Sequence, residues 1–137
     1  RRPRLTPNPA LAMKGGKVMM PFGTPGGDVQ PQSMVQFFLN VAEFGMEVQE
    51  AIEAPRVSTW SFPNSFWPHA YHPGLVGVEG RITLDVIADL RKRGHNVEVW
   101  DDFTPRMGCL CAIHVDQERG GHSGGADPRR DGYAMGR

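Results

Sequence analysis

Two adjacent glycines, Gly15 and Gly16, restrict what this chain can fold into more than any other residues. They separate two apolar runs, Ala10-Leu11-Ala12-Met13-Lys14 and Lys17-Val18-Met19-Met20-Pro21-Phe22. Glycine enters the positive-φ region without steric cost, so two antiparallel strands joined by a two-residue primed turn are expected. A second glycine-rich segment, Gly23-Thr24-Pro25-Gly26-Gly27-Asp28, follows at once. The periodicity then becomes helical over residues 31–44. Met34, Phe37, Phe38, Val41 and Phe44 form one stripe, widened by Val35, Leu39 and Ala42, which predicts a mostly buried helix. Gly45 supplies its stop.

Further along, residues 48–54 read as a short helix ended by Pro55. One short strand is expected over 56–60, leading into an irregular excursion that carries Trp60, Phe62, Phe66, Trp67 and Tyr71 among prolines. A strand over 75–79 precedes a helix from an N-cap at Thr83 to about Arg93. Leu84, Ile87 and Ala88 mark its apolar face, with Asp85 in the first turn and Arg91, Lys92 and Arg93 in the last. Residues 97–100 alternate as a strand. Residues 107–115 read as a strand apolar on both faces and so sandwiched between layers, and 120–125 as a flexible glycine loop. Strands and helices in this mixed order define an α+β or layered αββα fold.

Composition narrows the function. With 137 residues the chain is one domain or part of a larger one, and 17 glycines and 12 prolines point to many turns. Formal net charge is zero, and arginines cluster only at Arg1, Arg2 and Arg4 and at Arg129, Arg130 and Arg137. There is no basic field of the kind that displaces counterions from nucleic acid. No apolar run approaches the roughly 20 residues of a membrane-spanning helix. The opening Arg-Arg-Pro-Arg has no apolar signal-peptide core and reads as mid-protein. Cys109 and Cys111, two apart on a strand, are poorly placed to bridge each other and are expected to be free and buried.

Several constellations could carry chemistry. Gly26 and Gly27, after a strand and before a helix, can aim backbone N–H groups at an anion or a developing oxyanion, where any side chain would obstruct the approach. The alternative is a plain tight turn. Neither a P-loop nor a dinucleotide fingerprint is present. Cys109, Cys111, His114 and His122 have the right chemistry for zinc, but alternation points His114 away from the sulfurs, so packing is the preferred reading and no metal or cofactor is assigned. His69 and His72 sit among prolines with no nucleophile beside them and are read as loop packing. Asp127 and Asp131 around Arg129 and Arg130 are read as a salt-bridged structural loop rather than a catalytic pair.

Residues 23–32, Gly-Thr-Pro-Gly-Gly-Asp-Val-Gln-Pro-Gln, resemble the Gly-Ser/Thr-Pro-Gly-Gly segment of gamma-glutamyltransferases and their acylase relatives. Phe44-Gly45-Met46 with Gln49-Glu50-Ala51-Ile52-Glu53-Ala54-Pro55-Arg56 is similar to the same family's "FGM…QEAIEAPR" stretch. Residues 126–136 resemble its "ADPRRDGxAxG" ending, and the approach segment from Arg2-Pro3 to Pro9 also fits. The resemblance covers nearly the whole chain in the expected order.

It implies an N-terminal nucleophile hydrolase-like αββα sandwich, of which residues 1–137 form the C-terminal segment of the small subunit. It also implies an enzyme that transfers or hydrolyses gamma-glutamyl groups through an N-terminal threonine lying before this chain. By position, Gly26 and Gly27 match the oxyanion-hole pair, and Leu5 and Thr6 match a Ser-Ser pair that holds the substrate carboxylate. Thr6 keeps one hydroxyl and Leu5 none, which leaves room for an amide acylase of the same fold or a non-catalytic homologue. The implied partners are the rest of the same precursor and a small gamma-glutamyl substrate. The chain alone is expected to be inactive and to leave strand edges exposed.

Overall fold

A computed structural model describes residues 6–136. Leu5 and the arginines at positions 1, 2, 4 and 137 lie outside the described residues.

The glycine pair turns as its sequence requires. Gly15 and Gly16 have φ of 57° and 77°, and they join β1 (Ala10–Lys14) to β2 (Lys17–Gly23) in antiparallel register, Ala10 opposite Phe22, with a bulge between Ala12 and Met13. β2 also pairs with β6 (Cys111–Val115), and β6 with β7 (His122–Ala126), giving a four-stranded sheet in the order β1-β2-β6-β7. After a single 3₁₀ turn at Gly27–Val29, α1 (Gln30–Ala42) and α2 (Val48–Glu53) cover one face of that sheet. Met20, Leu110 and Ala112 from the strands meet Met34, Phe37, Val48, Ala51 and Ile52 from the helices. Phe22 packs against Phe37 and Phe38 at ring-centroid distances of 5.4 and 6.2 Å. Removing a side chain such as Phe37 from water stabilises the fold by about 1.5–3 kcal/mol.

The second sheet holds β3 (Val57–Thr59), β4 (Leu75–Glu79) and β5 (Asn96–Trp100). β3 and β4 are antiparallel. β4 and β5 are parallel, linked by α3 (Leu84–Lys92), whose Ile87 packs on Val78 and Val97. Gly77 is required here, because the Trp100 indole lies across it and a Cβ would fall 2.2 Å from the ring. The architecture is mixed α+β, as the element order predicts.

Four local expectations are corrected. Residues 122–126 form strand β7, not a flexible loop. Gly125 opposes Ala112 in the ladder, and a Cβ on it would meet Ile52 Cδ1 at 2.7 Å and Val48 Cγ1 at 2.8 Å, so packing under α2 overrides glycine's poor strand propensity. β6 begins at Cys111 rather than 107, because Pro105–Met107 is a 3₁₀ turn and Gly108 takes φ 86°. Its two faces differ: Leu110 and Ala112 are buried, while Cys111 and Ile113 face the open side of the sheet, so Cys111 is exposed and Cys109 only half-buried. Both thiols are free. On α1, Val35, Leu39 and the following Phe44 are exposed, since the buried face runs through Gln30, Ser33, Met34 and Phe37. On α3, Leu84 and Ala88 also point outward, and Thr83 occupies the N-cap position without a side-chain cap bond.

Two strand edges are met by carboxamides. Gln36 donates to Val57 O and accepts from Val57 N–H at 2.8 and 2.9 Å, and Gln32 does the same for Thr59. Gln49 pairs with both backbone groups of Ala126 on β7 at 3.0 Å. Each glutamine thus satisfies an edge residue in place of a neighbouring strand.

Candidate functional site

Between the end of β2 and the start of α1, the glycine loop is held from both sides. Thr24 is buried. Its Oγ1 accepts the Cys109 N–H at 2.7 Å and donates to Pro25 O at 2.8 Å. Gly108 lies directly beneath, and a Cβ there would fall 2.5 Å from Thr24 Oγ1 and 2.9 Å from Pro25 O. Gln30, at the first turn of α1, donates from Nε2 to Thr24 O at 2.8 Å and to Thr6 O at 3.1 Å. One carboxamide therefore ties the loop to the approach segment.

Gly26 and Gly27 take φ of 138° and 61°, a region that L side chains seldom adopt. Space opposes a side chain at Gly26, where a Cβ would lie 2.7 Å from Val29 Cγ1, and is tight at Gly27, where one would lie 3.1 Å from Phe66 Cε2. Among the described residues no acceptor lies on either N–H. Both glycines line an open cleft of about 1270 Å³ that also includes Thr6, Pro21, Cys111 and Ile113, and Tyr133 to Gly136. A smaller recess of about 470 Å³ shares Thr6 and Gly27 and reaches Asp28, Gln32 and Phe62. The structure thus brings Gly26, Gly27 and Thr6 to one cleft. The N-terminus of α1, just past the loop, adds favourable potential for negative charge.

Beneath the loop sits a buried ionic cluster. Glu79, 0% exposed, accepts from Arg129 Nε at 2.6 Å, from the Arg56 backbone N–H at 2.9 Å and from Arg81 at 3.3 Å. Asp127 receives Arg56 at 2.8 Å and Arg129 at 3.1 Å, and its carboxylate also accepts the Leu110 N–H at 2.8 Å. Arg56 donates to Met107 O at 3.0 Å and Ile52 O at 2.6 Å, so the cluster fixes the 107–110 segment on which Thr24 rests. Burial pulls the Arg56 guanidinium below its ordinary pKa against the pull of Asp127. For Arg129 burial acts the same way, but the hydrogen bonds it donates to Glu79 and the charge of Asp127 outweigh it and raise the pKa. Burial, then the Asp127 carboxylate, pushes the Cys109 thiol up.

The salt-bridged reading of Asp127 and Arg129 holds, whereas the exposed Asp131 takes no part in the buried cluster. Sequence reasoning missed Glu79 and Arg56. The available signal was an acid ending an apolar strand, at a position the structure buries with Gly77 and Val78. Gln30 and Thr24 carried no signal of their own. His69 Nδ1 sits 2.8 Å from Asn64 O inside the aromatic excursion, which is loop packing. Among the described residues no group of three His, Cys, Asp or Glu side chains could hold a metal, and no helix is long and apolar enough to cross a membrane.

The mixed α+β layering is that of N-terminal nucleophile hydrolases. The chain aligns with a gamma-glutamyltranspeptidase from Pseudomonas nitroreducens complexed with L-DON over 100% of its own length and 65% of that chain, at TM-score 0.77 and 25% identity. It aligns with a cephalosporin acylase from Bacillus halodurans over 94% of its length and 22% of that chain, at TM-score 0.78 and 30% identity. The gamma-glutamyltranspeptidase family profile matches residues 1–137, and the chain belongs to that family. Among curated relatives, a glutathione hydrolase-like YwrD proenzyme of Bacillus subtilis is 44% identical over 93% of the chain, and an oxamate amidohydrolase proenzyme of Klebsiella pneumoniae 38% identical over 99%. The chain spans 23% and 24% of those two relatives. Family members include enzymes named as hydrolases, transpeptidases and acylases.

Proposed function

We propose that residues 1–137 are the C-terminal segment of the small subunit of an acyl-transferring enzyme, and that they supply its oxyanion hole. The observation that carries this reading is the Gly26–Gly27 pair: two successive positive-φ glycines that line the cleft and whose N–H groups meet no acceptor among the described residues. The reaction is transfer or hydrolysis of a gamma-glutamyl group. An N-terminal threonine upstream of this chain attacks the acyl carbonyl carbon through its hydroxyl oxygen, and the hydroxyl proton passes to its own free amine. The carbonyl oxygen takes up negative charge and is held by the two glycine N–H groups. The intermediate collapses to an acyl-threonine ester as the leaving amine takes the proton. Water or an acceptor amine then attacks the ester. Thr6 contributes its hydroxyl to the substrate's carboxylate. The chain needs the rest of its precursor for turnover and is inactive alone.

The test is Gly27→Ala in the complete protein, assayed with gamma-glutamyl-p-nitroanilide. Alanine keeps the backbone N–H but is strained at φ 61°, which turns that donor from its aim and reduces kcat by about 10²–10³-fold, the scale of losing one oriented donor. Retention of kcat within about threefold, in a variant that unfolds like the parent, would overturn the oxyanion reading.

A second reading, an amide acylase using the same machinery, is favoured by Leu5 in place of a hydroxyl residue and by the kinship to the oxamate amidohydrolase and cephalosporin acylase. Faster turnover of glutaryl or oxamate amides than of gamma-glutamyl amides would select it. No turnover of any acyl substrate, with no covalent label from an electrophilic glutamine analogue, would indicate a non-catalytic homologue.

A further inference from the structure

The excursion between β3 and β4 is not a slack connection. Its base is closed by Trp60 N–H to Leu75 O at 2.9 Å and His72 N–H to Trp60 O at 3.2 Å. Its tip is closed by Asn64 N–H to Ala70 O at 2.8 Å and Phe66 N–H to Asn64 Oδ1 at 2.8 Å. The tip is then fastened to the glycine loop. Asp28, immediately after Gly27, accepts the Ser65 N–H at 2.6 Å and also the Ser65 hydroxyl. Next to that clasp the Phe66 ring edge lies against Gly27, where it would contact a Cβ at 3.1 Å. Phe62 lines the recess that Gly27 shares with Thr6. Phe66 is 48% exposed beside that clasp. A loop so fixed, presenting rings beside the pair of N–H groups, resembles a binding wall more than a packing element.

We infer that Phe62 and Phe66 form an aromatic wall beside the oxyanion pair, and that this wall selects substrates carrying a flat apolar group next to the scissile amide. The inference rests on Gly26 and Gly27 being that pair. The Asp28–Ser65 clasp positions the wall; it does not touch the reacting atoms. The same aryl group can reach the wall on the leaving or acceptor amine, or on the acyl chain, and the two sources are separated by experiment.

In the complete protein, kcat/KM is compared for aryl and alkyl versions of the leaving amine with the acyl group constant, and then for aryl and alkyl acyl groups with the amine constant. Phe62→Ala and Phe66→Ala should each lower the aryl-to-alkyl ratio in one series by about tenfold, the scale of one well-formed aromatic contact. Ser65→Ala should lower the same ratio and Ser65→Thr restore it, because threonine keeps the hydroxyl that Asp28 accepts. Ratios within twofold of the parent in both series would overturn the inference. The oxyanion reading fails separately: Gly27→Ala would then retain kcat while the ratios still respond to Phe66. Should the protein turn over neither series, calorimetric binding of a non-hydrolysable aryl amide decides. Saturable binding that Phe66→Ala weakens about tenfold supports the wall, and no binding, or binding unchanged in that variant, rejects it.

Discussion

Replacing Glu79 with glutamine removes one charge from the buried cluster while keeping its shape. In the parent, two buried cations, Arg56 and Arg129, face two buried anions, Glu79 and Asp127, with Arg81 at the margin. In Glu79→Gln two guanidinium groups share the single carboxylate of Asp127. The amide NH₂ of the new side chain also points among groups that only donate. Breaking a buried pair in this way costs about 3–5 kcal/mol, far more than an exposed pair is worth, because a charge is left inside without a counter-charge. Against the ordinary 5–15 kcal/mol of a folded domain this is a large share. The assay is hydrogen exchange on the amides of β4 in the complete protein, read as the free energy of local opening.

The companion variant is Glu79→Gln with Arg129→Met, which leaves Arg56 and Asp127 as a neutral pair. That double variant should be more stable than Glu79→Gln alone, with a coupling of about 2 kcal/mol or more. Opening free energies within about 1 kcal/mol of the parent for the single variant, or additive costs in the double, would refute the argument. Because Asp127 and Arg56 hold the 107–110 segment beneath Thr24, the single variant should also lower kcat more than it raises KM.

Two further outcomes follow from local geometry. Gly125→Ala places a Cβ against Ile52 and Val48 in the main core and should destabilise by about 1–3 kcal/mol, measured by urea unfolding; Gly120→Ala, with open space around it but φ of 70°, should cost less. In the turn between β6 and β7, the Asp116 carboxylate accepts the N–H groups of Arg119 and Glu118, which hold it below the usual carboxylate range. A depressed pKa gives order that is present above the ordinary carboxylate range and lost as pH falls through the lowered value, so protection of the Arg119 and Glu118 amides relative to their intrinsic exchange should fall on acidification, and Asp116→Asn should abolish that pH dependence.

The hairpin, the glycine loop and the helices were legible because each is written in local signals: two glycines for a primed turn, a 3.6-residue stripe for α1, charges ordered along α3. The positive φ of Gly26 and Gly27 was also legible, since adjacent glycines between a strand and a helix supply the backbone freedom it needs. β7 was not legible. His-Ser-Gly-Gly-Ala has every local mark of a loop, and what makes it a strand is the closeness of Ile52 and Val48 from a helix more than seventy residues earlier. Glu79 was missed for the same kind of reason, because a buried acid is intelligible only with its arginine partner 50 residues away. The clasp between Asp28 and Ser65 joins residues 37 apart and left no trace in periodicity.

The ionic cluster also sets a timetable. Glu79 lies 50 residues ahead of Arg129 in the chain, and at about 5–20 residues per second a ribosome takes roughly 2.5–10 s to make that interval. Throughout it, a carboxylate destined for the interior has only Arg81, 3.3 Å away at the margin, as its side-chain counter-charge, and the second sheet can close around it only with that charge incompletely neutralised. Completion of this part of the molecule therefore waits for the Asp-Pro-Arg segment to be synthesised. A pause in translation before that point would leave a nascent chain with a formed hairpin and an unfinished neighbour, the form in which chaperones and proteases first meet it.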